Sequence, residues 1–135
     1  MNVVIEATVN KPLSTTWQAW VTPEDIKCWN FANDDWCCPN AEIDFKEGGQ
    51  FNYRMTAKDN SMAFDFSGKF SKIIAFNTIN FTLNDGRSVS VEFIEKGDDT
   101  TVKETFQTED ESTLEQQKHG WQMILNNFKK HVESK

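Results

Sequence analysis

The sequence predicts an α+β protein in which a curved antiparallel sheet wraps a long C-terminal helix, with two short helices after the first strand. Three observations predict it. Among 135 residues there are eleven Phe and five Trp against four Leu, a composition that suits pleated, half-buried strands better than a helical bundle. Alternating apolar segments punctuated by turn residues occupy positions 41–108. Helical periodicity is confined to the flanks of that block, and strands in a run beside segregated helices are the α+β pattern. No linker-like stretch interrupts the chain, so 1–135 is expected to form one domain.

Val3 to Val9 alternates loosely and reads as the first strand, closed by Asn10-Lys11-Pro12. Leu13, Trp17, Trp20 and Val21 recur at helical spacing, giving a short amphipathic helix. Thr22-Pro23-Glu24-Asp25 then opens a second, with Thr22 as cap, Pro23 in the first turn and two acids at the positive end of the helix dipole; it runs to about Trp29. Asn30 to Asn40 shows no period and is expected to be a loop. Strands follow at Ala41–Lys46, Gln50–Ala57, Met62–Phe76, Ile79–Leu83, Val89–Phe93 and Thr100–Thr108, six to seven in all with the first. Gly68 is expected to bulge or bend its strand, and Asn84-Asp85-Gly86-Arg87 carries a hairpin signal. The chain ends in a helix with a capping box from Ser112 to Glu115 and an apolar stripe of Leu114, Trp121, Ile124, Leu125, Phe128 and Val132.

The formal charge of −7 lacks the basic footprint that nucleic acid requires, and an anionic membrane surface would repel it. No segment approaches the ~20 apolar residues of a membrane-spanning helix. The first residues, Met1-Asn2-Val3-Val4-Ile5-Glu6, lack a secretory signal pattern. Cys28, Cys37 and Cys38 are odd in number, with one adjacent pair, so a disulfide framework is not expected and the cytoplasm is the expected location. No metal is expected: the cysteines lack paired-ligand spacing, and His119 and His131, twelve positions apart on one helix, stand about 18 Å from each other.

Several segments, in order, resemble the START-like (SRPBCC, Bet v-type) helix-grip superfamily, and within it the group named after the C-terminal domain of the activator of the heat-shock-protein-90 ATPase (Aha-type). Pro12 with Trp17 is similar to the first-helix signature, and Thr22-Pro23-Glu24 with Trp29 to the second. Glu47-Gly48-Gly49-Gln50-Phe51 resembles the Gly-Gly hairpin, and Gly68-Lys69-Phe70 the central strand. Asp85-Gly86-Arg87, Thr100-Thr101-Val102 and Gly120-Trp121 complete the set. The resemblance implies a cavity between the sheet and the last helix. Small single-domain relatives of this kind resemble general hydrophobic-ligand binders, the founding co-chaperone contacts its chaperone, and some superfamily members are cyclases or hydroxylase components.

The expected function is therefore binding of a small apolar or amphipathic molecule, without obligatory cofactor. Phe51, Tyr53, Met55, Phe64, Phe66, Phe81 and Phe106 would wall the pocket, and Trp121, Leu125 and Phe128 would roof it. Trp29 and Trp36, flanking the aperiodic segment, would guard the entry. Strand alternation puts Glu104 on the face of Val102 and Phe106, where a carboxylate is costly unless partnered or functional; Arg54 or Tyr53 are candidate partners. Two other readings stand beside this one: a co-chaperone-like interaction module with the heat-shock chaperone as partner, and a cyclase- or hydrolase-type enzyme using Glu104 with Tyr53. A monomer or weak homodimer is expected, the latter through exposed edge strands.

Overall fold

The computed structural model describes residues 2–108 and 114–135. The elements run β1 (Asn2–Val9), α1 (Leu13–Val21), α2 (Pro23–Trp29), β2 (Trp36–Ile43), β3 (Gln50–Ala57), β4 (Ala63–Ile74), β5 (Thr78–Leu83), β6 (Ser88–Lys96), β7 (Asp99–Gln107) and α3 (Leu114–Glu133). The seven strands form one antiparallel sheet in the order β1-β7-β6-β5-β4-β3-β2. From β2 to β7 every neighbour in space is a neighbour in sequence, and only the β1–β7 pair joins the two ends of the chain. The sheet curls as a half-barrel around α3, which is the helix-grip architecture the sequence predicts.

Alternation decides which face is which. Phe51, Tyr53 and Met55 on β3, Phe81 on β5, Val89, Val91 and Phe93 on β6, and Val102 and Phe106 on β7 are buried on the concave face. The convex face carries polar pairs: Arg54 Nη1 donates to Asp65 Oδ1 at 3.2 Å, and Asn84 Nδ2 to the Ser67 hydroxyl at 2.7 Å. Arg54 is therefore on the opposite face from Glu104 and is not its partner.

α3 presents Leu125, Phe128 and Val132 to the core, each worth roughly 1.5–3 kcal/mol when buried. Phe128 meets Trp20 and Trp29 edge-on at 4.9 Å, and these rings join α1, α2 and α3 into one cluster. Polar bonds then fix the second half of the helix. Lys129 Nζ donates to Thr8 O at 2.6 Å, the Asn10 N–H to Glu133 Oε2 at 2.8 Å, and Asn127 Nδ2 to Phe31 O at 3.0 Å. Asp25 on α2 accepts from His131 Nε2 and from Lys135 Nζ, both at 2.8 Å. Burial alone would raise the Asp25 pKa, but the hydrogen bonds and charges of these two partners outweigh it and hold the carboxyl below its ordinary value.

Three local expectations change. β2 starts at Trp36, inside the segment expected to be a loop, and runs on to Ile43 through the first part of the strand expected at Ala41–Lys46. It is an edge strand whose register with β3 shifts between Cys37 and Asn40, and exposed Pro39 has no N–H to give a ladder, so it lacks the alternation that marks a strand. Thr22 does not cap α2: its hydroxyl donates back to Gln18 O at 2.6 Å, closing α1. The irregularity in β4 lies between Phe70 and Lys72 rather than at Gly68, and Glu47 Oε2 accepts the Ile73 N–H at 3.0 Å beside it. Gly68 stays in register with Phe51 and Leu83, and its role is close approach, because an added Cβ would lie 2.5 Å from Thr82 O and 3.1 Å from the Phe51 ring. Ser112 of the expected capping box lies outside the described residues. Among the described residues no helix is long and apolar enough to cross a membrane.

Two outcomes follow for stability. Gly68→Ala should cost about 1–3 kcal/mol through overpacking against a backbone carbonyl and a core ring, read as a lower urea midpoint; an unchanged midpoint would contradict the close-approach role. Asp25 should contribute stability that is present above its ordinary pKa of 3.8 and lost as pH falls through its lower folded value. The difference in melting temperature between wild type and Asp25→Asn should accordingly be large at pH 6 and shrink under strong acidification; a difference that grows with acid would refute it.

Candidate functional site

Between the concave face of the sheet and the first half of α3 lies a cavity of about 250 Å³. It lies N-terminal, along α3, to the contacts that pin the second half of the helix to Thr8 of β1 and to Phe31 after α2. Phe51, Tyr53 and Met55 of β3, Phe64, Phe66 and Phe70 of β4, and Phe81 of β5 supply the sheet side. Trp121, Ile124 and Leu125 of α3 close it above, and Trp20 and Trp29 close one end. Trp121 stacks on Phe106 with ring centres 4.2 Å apart and planes 7° from parallel, and meets Phe66 edge-on at 5.8 Å. It thereby spans the cavity from β7 to β4.

Few polar groups face this space. Glu104 sits on β7 between Ile5 of β1 and Val91 of β6, in a row that is otherwise apolar and fully covered. It is 6% exposed, and its carboxyl has no hydrogen-bond or ion-pair partner among the described residues. Burial pushes its pKa up to about 8, so at neutral pH the carboxyl keeps its proton. The Tyr53 hydroxyl is likewise without a hydrogen-bond partner among the described residues. Burial, with a smaller push from the Cys38 sulfur beside it, holds it far above the ordinary tyrosine range. Asn30 Nδ2 reaches Met55 Sδ at 3.1 Å. Arg87 and Gln117 complete the polar lining, with Arg87 Nε donating to Asp85 Oδ2 at 2.9 Å in the tight turn where Gly86 adopts a left-handed backbone.

Most of the residues named from the sequence meet around this cavity, and three do not line it. Phe106 is fully buried behind Trp121 as the plate on which that ring stacks. Phe128 is spent on the Trp20–Trp29 cluster. Trp36 packs edge-on against Phe64 at 5.7 Å, and it is Phe64, 46% exposed, that forms the rim. Trp29 lines the cavity but is 3% exposed, its indole N–H donating to Ala19 O at 3.0 Å, so it is a fixed end wall rather than a gate. The sequence reading missed Trp20, Asn30, Phe70, Arg87, Gln117 and Ile124. Phe70, on the same face of β4 as Phe66, and Ile124, one residue before Leu125 in the stripe, were within reach of periodicity; Asn30 and Arg87 follow helix and turn ends whose aim no local pattern gives.

Cys28 is exposed, Cys37 half-buried and Cys38 buried, all with free thiols. Among the described residues no group of three or more His, Cys, Asp or Glu is placed to hold a metal ion.

A neutral buried acid leaves a signature in the pH dependence of folding. The native state holds a proton on Glu104 between its ordinary pKa of 4.5 and about 8 that the unfolded chain has released, so stability should fall as pH rises through that window and level off above it. Glu104→Gln removes this dependence. The stability of wild type relative to the variant should decline by up to about 1.4 kcal/mol per pH unit across the window, measured by urea unfolding. A parallel pair of pH profiles would show that Glu104 ionises freely.

No curated protein matches the chain. The model of the family described as activator of Hsp90 ATPase homolog 1-like protein matches residues 10–133. The solution structure of the AHSA1-like protein from Aeromonas hydrophila is 41% identical, with a TM-score of 0.93 over 99% of this chain and 93% of that one. A protein from Cytophaga hutchinsonii is 38% identical, with a TM-score of 0.85 over 98% of this chain and 92% of that one. At 16% identity, a crystal structure from Nitrosomonas europaea shares the fold, with a TM-score of 0.86 over 99% and 95% of the two chains. A family match over nearly the whole length, a relative at 41% identity and a shared seven-stranded helix-grip sheet converge on one assignment: the chain belongs to the family of activator of Hsp90 ATPase homolog 1-like proteins.

Proposed function

We propose that the protein binds a small apolar or amphipathic molecule between its sheet and α3. The observation that carries this reading is the cavity of about 250 Å³, walled mainly by aromatic and aliphatic side chains, onto which two polar groups without partners among the described residues open. A filled core would close over such groups or satisfy them, since an unpaired buried polar group costs about 1–3 kcal/mol. A ligand that brings its own hydrogen-bonding group offsets that cost, and apolar walls with a few convergent polar atoms are the usual make-up of small-molecule sites. No step of chemistry is required of the residues present. Glu104 and Tyr53 would orient the polar end of the ligand, Trp121 and Ile124 would cover it, and Phe64 would stand at the entrance.

Native mass spectrometry of protein purified without denaturation, followed by solvent extraction, should reveal a small-molecule adduct of unit stoichiometry. Ile124→Trp, which adds bulk into the cavity from a half-buried position on α3, should lose the adduct and any ligand-induced rise in melting temperature while remaining folded. Absence of any adduct, together with no thermal shift across a panel of lipids and aromatic compounds, would count against the proposal.

A further inference from the structure

We infer that the occupant of this cavity carries a cationic amine, held by the Glu104 carboxyl within a cage of aromatic rings. The inference rests on the ligand-binding reading above and names the chemical class of the ligand. Two independent features of the site are complementary to the same group. The first is the carboxyl: it is buried, opens onto the cavity and meets no cation or hydrogen-bond donor among the described residues. The second is the lining, in which nine of the sixteen residues are aromatic. Ring faces carry negative quadrupole density, and several rings around one space attract an ammonium group with more than their apolar area.

The rest of the molecule agrees with a positive guest. The chain carries a formal charge of −7, which favours approach of cations over anions. Arg87, the cationic residue of the lining, already has an acid beside it in Asp85. A ligand carboxylate would therefore compete with Asp85 for Arg87 and face an acid inside. A neutral ligand would gain from the rings only through apolar contact.

Binding also accounts for the proton on Glu104. An uncharged amine entering the cavity takes that proton from the carboxyl, and an ammonium entering it displaces the same proton to solvent. Both routes end in a carboxylate–ammonium pair in a cavity that Trp121 and Phe66 also line. The attraction within such a pair is less screened there than on the surface, and together with the rings it has to offset the desolvation of both charges.

The test compares phenylbutylamine, phenylbutanol and phenylbutyrate, which share one apolar body and differ in the charge of the head. Calorimetry or tryptophan quenching on the full chain should show the amine binding about tenfold or more tighter than the alcohol, and the acid weakest. Glu104→Gln should abolish the preference for the amine over the alcohol, and a cooperative urea-unfolding transition shows that the variant is folded. Alcohol and amine binding equally to wild type, or an amine preference that survives Glu104→Gln, would overturn the cationic-amine assignment and leave the cavity as a site for neutral ligands. Failure of all three compounds to bind would count against the cavity reading as well.

Discussion

The way α3 is held decides everything else about this molecule. Its second half is tied to β1 by Lys129 and Glu133 and to the end of α2 by Asn127, while Phe128 is clamped between Trp20 and Trp29. Its first half is held too, by Gln122 Nε2 donating to Glu6 O at 3.3 Å and by Trp121 stacked on Phe106 of β7, and between this stretch of helix and the sheet lies the cavity.

Placing a carboxyl in that space has a cost that the fold does not recover internally. Ile5 and Val91 on either side of Glu104 are buried and apolar, and a third apolar residue would complete the row. Holding the acid protonated limits the penalty without removing it. The favourable terms lie elsewhere, in the ring contacts along Trp17, Phe45 and Phe93 and in the helix ties, so the site is an exception carried by a well-packed surround.

Much of this was legible in residue order, and the parts that were not have physical reasons. Alternation located β3 and β5 closely, because one face of each is buried and the other wet. It failed at β2, an edge strand broken by Cys38-Pro39, where neither face is uniform and the pairing shifts. The concave position of Glu104 followed from parity alone, whereas its lack of a partner among the described residues did not, since that depends on where Arg54 and Arg87 point in space. Phe106 and Phe128 share the apolar faces of the cavity wall yet are consumed by Trp121 and the Trp20–Trp29 pair. Periodicity assigns a face; which side chain on that face touches empty space is settled by the neighbours that arrive from other elements.

The pairing of β1 with β7 bears on how the chain comes together during synthesis. Strands β2 to β7 are each made next to their partners, so they can zip up as a succession of hairpins with short loops to close. β1 has no such option. Thr8 meets Thr101 across 93 residues, and Val3, Ile5 and Val9 stay uncovered until nearly the whole sheet has been translated. α3 rests partly on this ladder, through Lys129 to Thr8 and Gln122 to Glu6. β1, made before the other strands of the sheet, is thus the last of them to have its partner available, and the wall of the cavity is complete only once β7 exists.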